Sequence, residues 1–166
     1  MRGLEVAGIV NYAKHVKGLQ IGLINVADTS EGFHIGLINI VKKGYHKLYV
    51  SANEVMNANI AIKTGNPKLY NILIAGINPG SDEKVFSYGY GLGREIKLGK
   101  TFTLNPELTS QYLYLGNWNY HNWLSKIQLL VNVRLAKNIA LSGGPSFSVY
   151  YSDQTAAVKG YKFNIP

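Results

Sequence analysis

Nine carboxylates, four histidines and no cysteine limit the chemistry open to this chain of 166 residues. Without cysteine there is no thiolate nucleophile, no thiolate zinc site and no disulfide framework. His15, His34, His46 and His121 sit at no metal-ligand spacing, so neither a metal nor another cofactor is expected. The serines, Ser146 and Ser148 among them, lie on strand-like stretches far in sequence from any histidine, which leaves no basis for a Ser-His-Asp arrangement. Gly89-Tyr90-Gly91-Leu92-Gly93 is glycine-rich but lacks the Gly-Lys-Ser/Thr ending of a phosphate loop, so its glycines are expected to admit a packed neighbour. Asp82 and Glu83 belong to a turn. Glu107 differs, because it sits in the middle of an alternating stretch, on its polar side. Pairing 101–115 with 122–135 brings Gln128 and Asn132 beside it, with Lys126 and Arg134 further along. A carboxylate placed there needs such partners. They would form either an internal ion-pair network that fills a narrow barrel, or a pore constriction or headgroup site. No catalytic residue is expected, and the chain reads as non-enzymatic.

These side chains must be positioned by β-strands. Apolar residues nowhere recur at helical spacing with caps. Strands are predicted over 45–54, 57–64, 68–77, 84–96, 101–115, 122–135 and 139–151, with breaks such as Gly65-Asn66-Pro67 and Asn78-Pro79-Gly80. Together with the N-terminal segment this makes a meander of about ten strands. A loop at 136–138 sets Leu135 opposite Ile139. Val133 then pairs with Leu141, Ile127 with Phe147 and Trp123 with Tyr151, while Asn132 meets Ser142, Gln128 meets Ser146 and Lys126 meets Ser148. Every pair matches in character, and a slip by one residue would mix the faces. Across 116–121, the expected register sets Tyr114 opposite Trp123 and Gln111 opposite Lys126.

The two faces identify the solvent. One carries Phe102, Leu104, Leu129, Val133 and Phe147; the other carries small polar residues with Glu107, Lys126, Gln128, Asn132 and Arg134. A soluble sandwich would put long charged side chains on its wet face, whereas charged residues are 16% of this chain. An enclosed polar face with an apolar exterior describes a membrane β-barrel, whose tilted strands need about 9–11 residues. Tyr114, Trp118, Tyr120, Trp123 and Tyr151 gather at one end, where an aromatic girdle would lie. On this reading Phe102, Leu104, Leu129, Val133 and Phe147 face membrane, and Glu107, Lys126, Gln128, Asn132 and Arg134 line the lumen. The alternative is a soluble β-domain (barrel, sandwich or solenoid) that acts as a binding or assembly module.

The formal net charge of +8 is compatible with nucleic acid, anionic lipid or phosphate-bearing sugars. The basic residues are scattered, however. Their densest group, Lys42, Lys43 and Lys47, reads as a solvated rim that could meet lipid headgroups, and nucleic acid is not expected. Residues 1–10 do not read as a secretory signal.

The first 44 residues repeat. Gly8-Ile9-Val10-Asn11, Gly22-Leu23-Ile24-Asn25 and Gly36-Leu37-Ile38-Asn39 share one pattern. Each unit reads as one strand of about ten residues and a polar turn. Gly22 and Gly36 remove bulk where something approaches closely. The asparagines either stack as a ladder of amides or mark the strand exits. The chain is taken as a single domain over 1–166, with repeat strands at 1–44, meander strands at 45–151 and a tail at 152–166.

Residues 18–27 and the run from Gly89 through Leu98-Gly99-Lys100 to Leu104-Asn105-Pro106-Glu107-Leu108 carry a resemblance. They are similar to surface-repeat-containing outer-membrane β-barrel proteins of Bacteroidetes, and the repeat segments also resemble exported proteins of spirochaetes. The resemblance implies an outer-membrane location, a lipid bilayer or lipopolysaccharide as partner, and no known catalytic activity. Barrels of that kind usually close with a strand that ends in an aromatic residue, whereas this chain ends Phe163-Asn164-Ile165-Pro166.

Overall fold

The repeated glycines and asparagines bend each N-terminal unit into a rung of a parallel stack. A computed structural model describes residues 2–53, 55–79, 85–116 and 118–153, which form an all-β protein. Strands β1 (Leu4–Val6), β3 (Leu19–Ile21) and β5 (Phe33–Ile35) form one parallel sheet of the stack. Strands β2 (Val10–Val16), β4 (Ile24–Ser30) and β6 (Ile38–Val41) form the other. The expectation of one ten-residue strand per unit is therefore corrected: each unit makes two shorter strands with a corner between them.

Crowding from the preceding rung explains the corner glycines. A Cβ on Gly22 would lie 2.6 Å from Asn11 Nδ2, and one on Gly36 would lie 2.1 Å from the Gly22 carbonyl oxygen. The side-chain amide of one rung thus reaches past the corner to the next. Asn11 Nδ2 donates to Asn25 Oδ1 at 2.8 Å, and Asn25 Nδ2 donates to Asn39 Oδ1 at 2.7 Å. Of the two sequence alternatives for these asparagines, the ladder is the one formed. Ala13, Val16, Ala27 and Val41 form an apolar cluster in the interior, which also holds Gln20 and His34.

The other strands form a nine-stranded antiparallel sheet. They are β7 (Tyr45–Ser51), β8 (Ala58–Asn66), β9 (Leu69–Ile77), β10 (Val85–Gly93), β11 (Ile96–Lys97), β12 (Phe102–Leu115), β13 (Asn122–Arg134), β14 (Ala140–Gly143) and β15 (Ser146–Ser152). Neighbours follow chain order from β7 to β10, then β12 and β13; β11 adds to β12, and both β14 and β15 pair with β13. The sheet is an open half-barrel, which corrects the expected closed barrel of about ten strands. β7 forms one edge, and β14 and β15 together form the other. Side chains still face one another across the open side, where Tyr49 of β7 and Ser142 of β14 line the same cavity.

The β13–β14–β15 register is the expected one, with Val133 opposite Leu141, Ile127 opposite Phe147 and Gln128 opposite Ser146. Between β12 and β13 the register differs by two residues: Tyr112, rather than Tyr114, faces Trp123, and Thr109 faces Lys126. A shift by two preserves the faces, so hydrophobic patterning alone does not detect it. Asp82, Glu83 and residues 154–166 of the tail lie outside the described residues.

The stack docks on the outer side of the β8–β9 hairpin through side-chain hydrogen bonds. Asn39 Nδ2 donates to Asn71 Oδ1, so the amide ladder ends in the sheet. Asn66 Nδ2 donates to the Gly32 carbonyl at 2.6 Å, and the Tyr90 hydroxyl donates to the Gly36 carbonyl at 2.8 Å. Terminal rungs of stacked repeats need such a cap for their open backbone groups.

Candidate functional site

The concave face of the half-barrel is where polar groups converge. Glu107 projects from β12 between Gln128 of β13 and Gly93 of β10. A Cβ on Gly93 would fall 2.4 Å from the Tyr70 ring. The bare backbone of Gly93 therefore lets Tyr70 of β9 lie across β10 and reach the carboxylate. The Tyr70 hydroxyl donates to Glu107 Oε1 at 2.6 Å, Lys63 Nζ of β8 donates to the same oxygen at 2.5 Å, and Gln128 Nε2 donates to Oε2 at 2.9 Å. Both charged side chains are almost fully buried, at 6% and 1% exposure for Lys63 and Glu107. Lys63 also lies over the Tyr49 ring, with Nζ 4.3 Å from its centroid.

A second tier of contacts holds this pair. Asn105 Nδ2 donates to the Tyr70 hydroxyl at 2.7 Å, and Asn132 Nδ2 donates to Asn105 Oδ1 at 2.5 Å. Ser142 of β14 donates to Asn132 Oδ1. Tyr45 and Tyr70 stack with ring centroids 4.4 Å apart. The carboxylate thus accepts from a lysine, a phenol and an amide, which is the satisfaction a buried ion pair requires. In front of it lies a cavity of about 440 Å³, lined by Tyr49, Gln111, Lys126 and Ser146 together with Lys63 and Glu107. Arg134 is exposed at the end of β13, on the rim of a neighbouring cavity of about 410 Å³.

Of the residues singled out in the sequence, Glu107, Lys126 and Gln128 line one cavity, while Asn132 and Arg134 line the other. Lys63, Tyr70, Tyr45 and Asn105 were not foreseen. Lys63 was readable in principle, because it is the charged member of the row Asn59, Ala61, Lys63, Gly65 on one side of β8. Among the described residues no group of His, Asp and Glu could hold a metal ion.

The convex face is apolar. Val50 is 74% exposed, Phe147 69% and Leu48 67%. Phe102 and Leu129 are also exposed, whereas Leu104 and Val133 are half-buried. At the end of the sheet away from the stack, Phe86 and Tyr114 stack at 4.6 Å, Tyr114 and Trp118 lie 4.7 Å apart, and Tyr112 meets Trp123 edge-on at 5.5 Å.

Two titrating features lie in the stack. Burial holds the imidazole of His34 below its ordinary pKa; its Nε2 contacts Ser30 Oγ at 2.7 Å, and Nδ1 is buried without a partner. On the surface, the Lys42 ammonium 2.8 Å from Asp28 lowers the pKa of that carboxyl, and the carboxyl raises that of Lys42. No helix among the described residues is long and apolar enough to cross a membrane. Comparison of the chain with protein-family models, curated proteins and solved structures gave no match.

Proposed function

We propose that this chain forms the wall of an outer-membrane-type β-barrel without enzymatic activity, in a structural or surface-interaction role. The observation that carries the reading is the inverted pair of faces: bulky apolar side chains project outward while Glu107, Lys63 and their hydrogen-bond partners are enclosed. In water, an exposed apolar surface this continuous is unfavourable by about 25 cal/mol per Å²; in hydrocarbon it is the expected exterior. Strands β12 and β13, at 14 and 13 residues, are long enough to cross. The partner is a lipid bilayer or lipopolysaccharide, and nucleic acid is not one. Tyrosine, lysine and glutamine side chains occupy the concave face, which favours a structural role over an open solute channel.

Detergent dependence tests the reading. The chain is expected to be recovered folded in micelles or vesicles and to aggregate without them. A monodisperse soluble monomer in plain buffer would overturn it and favour a soluble β-module used for binding or assembly.

A further inference from the structure

The barrel reading accounts for the exterior of the sheet and says nothing of the exterior of the stack, which is equally unusual. Leu4, Val6, Ile9, Val10 and Tyr12 on the first rung are all more than half exposed. On later rungs Leu23, Phe33, Ile35 and Leu37 are about half exposed. The interior holds buried Asn11, Gln20, Asn25, His34 and Asn39 beside the small apolar cluster of Ala13, Val16, Ala27 and Val41. The bulkier apolar side chains of the stack thus lie outside, as they do on the sheet. Soluble monomers rarely leave so wide an apolar surface uncovered.

We propose that the outer surface of the stack is a second lipid-contacting surface, immersed among acyl chains beside the barrel wall; the proposal rests on the barrel reading. Continuity with the sheet supports it. The stack sits on the outer side of β8–β10, and the cleft between the two, about 310 Å³, is lined by Ile35, Leu37, Leu69, Tyr90 and Leu92 with almost no polar surface. Apolar exterior therefore runs from the sheet through the cleft onto the rungs. Charge placement agrees. On the rungs the outward charged residues gather at the strand ends and in the turns that follow: Lys14 near the end of β2 and Lys17 after it, Asp28 near the end of β4 and Glu31 after it, and Lys42 and Lys43 after β6. At the end of the sheet where the stack docks, Arg94, Lys97 of the short strand β11, Lys100 and Lys137 form no ion pair among the described residues. Cations at that level suit the phosphates of lipid headgroups, with the rungs below them in the acyl layer. The stack does not span the bilayer; it lies in one leaflet against the wall.

The chain has no cysteine, so single substitutions report one position each. Ile9→Cys and Leu37→Cys sample the stack, Phe147→Cys the wall and Lys17→Cys a charged turn. Each labelled variant is reconstituted in phosphatidylcholine–phosphatidylglycerol vesicles and exposed to nitroxide lipids or to aqueous iodide. Lipid quenching at Ile9 and Leu37 as strong as at Phe147, with Lys17 quenched by iodide alone, is the expected result. Lipid quenching at Phe147 with iodide quenching at Ile9 and Leu37 overturns this proposal and leaves the barrel reading standing. Silence to both quenchers at Ile9 and Leu37 also overturns it, since a protein partner or second copy then covers the rungs. Lipid quenching at Lys17 overturns it too, because the charged turns would share the environment of the apolar rows. Iodide quenching at Phe147 overturns both readings.

Discussion

The stack and the half-barrel solve one problem with different chemistry. Both enclose polar side chains and turn apolar ones outward, yet the stack encloses neutral amides and the sheet encloses an ion pair. The difference follows from strand pairing. In a parallel in-register stack each column sets like positions above one another at about 4.8 Å. A column of carboxylates or ammonium groups at that spacing would repel, whereas a side-chain amide carries donor and acceptor together and satisfies its own copy. In an antiparallel sheet cross-strand neighbours come from unrelated positions. Glu107 can therefore face Gln128 and receive Lys63 and Tyr70 from more distant strands. The asparagine column of the first region is self-complementary, whereas its Glu5–Gln20–His34 column and the sheet use unlike partners.

The largest effect should come from breaking the hetero-complementary pair. Glu107→Gln leaves Lys63 buried without its counter-charge, and a loss of about 3–5 kcal/mol is expected in chemical unfolding. Adding Lys63→Met should restore a large part of it, and a double variant no more stable than Glu107→Gln alone would break the account of the pair.

Next comes the ladder. Asn25→Ala removes the group that donates to Asn39 Oδ1 and the Ile35 carbonyl and accepts from Asn11, with an expected loss of about 2–3 kcal/mol. Asn25→Asp should cost more than alanine at neutral pH, because a carboxylate there can accept from Asn11 but cannot donate onward. It should recover in acid as the group becomes protonated. Equal stability of the two variants at neutral pH would contradict the claim that the asparagine column must be neutral.

The corner glycines sharpen the comparison further. Gly36→Ala pushes a methyl group against the Gly22 carbonyl and should cost about 1–3 kcal/mol. Gly8→Ala, with nothing within 4 Å of the added carbon, should lie within about 0.5 kcal/mol of the parent.

The smallest effect is on pH. His34 is held neutral by burial, so the unfolded chain binds a proton that the folded chain resists. Stability from this group is complete above its ordinary value of 6.5 and falls as pH drops below it, until the lowered folded value is reached. The slope is at most about 1.4 kcal/mol per pH unit. Comparing acid unfolding of the parent with that of His34→Gln isolates it; an unchanged slope would count against a buried neutral imidazole.

Much of the sheet was legible because alternation is a local signal. The β13–β15 pairing follows from matching Ile127 with Phe147 and Gln128 with Ser146, and the structure has that register. The β12–β13 offset was not legible, since both registers separated by two residues satisfy the same pattern, and loop geometry chooses between them. In the repeats the spacing of Gly and Asn was plain, but the bend into two strands depends on the neighbouring rung that crowds Gly22 and Gly36. The partners of Glu107 were half legible. Gln128 lies on the neighbouring strand, while Lys63 and Tyr70 reach it only through sheet curvature and the gap left by Gly93.

The ladder also has a direction: each Asn from 11 to 39 donates towards Asn71. Because neighbouring asparagines are 14 residues apart, a whole unit could be added or removed without disturbing the contact at Asn71. The height of the stack is thus a matter of copy number, decoupled from the joint that fastens it.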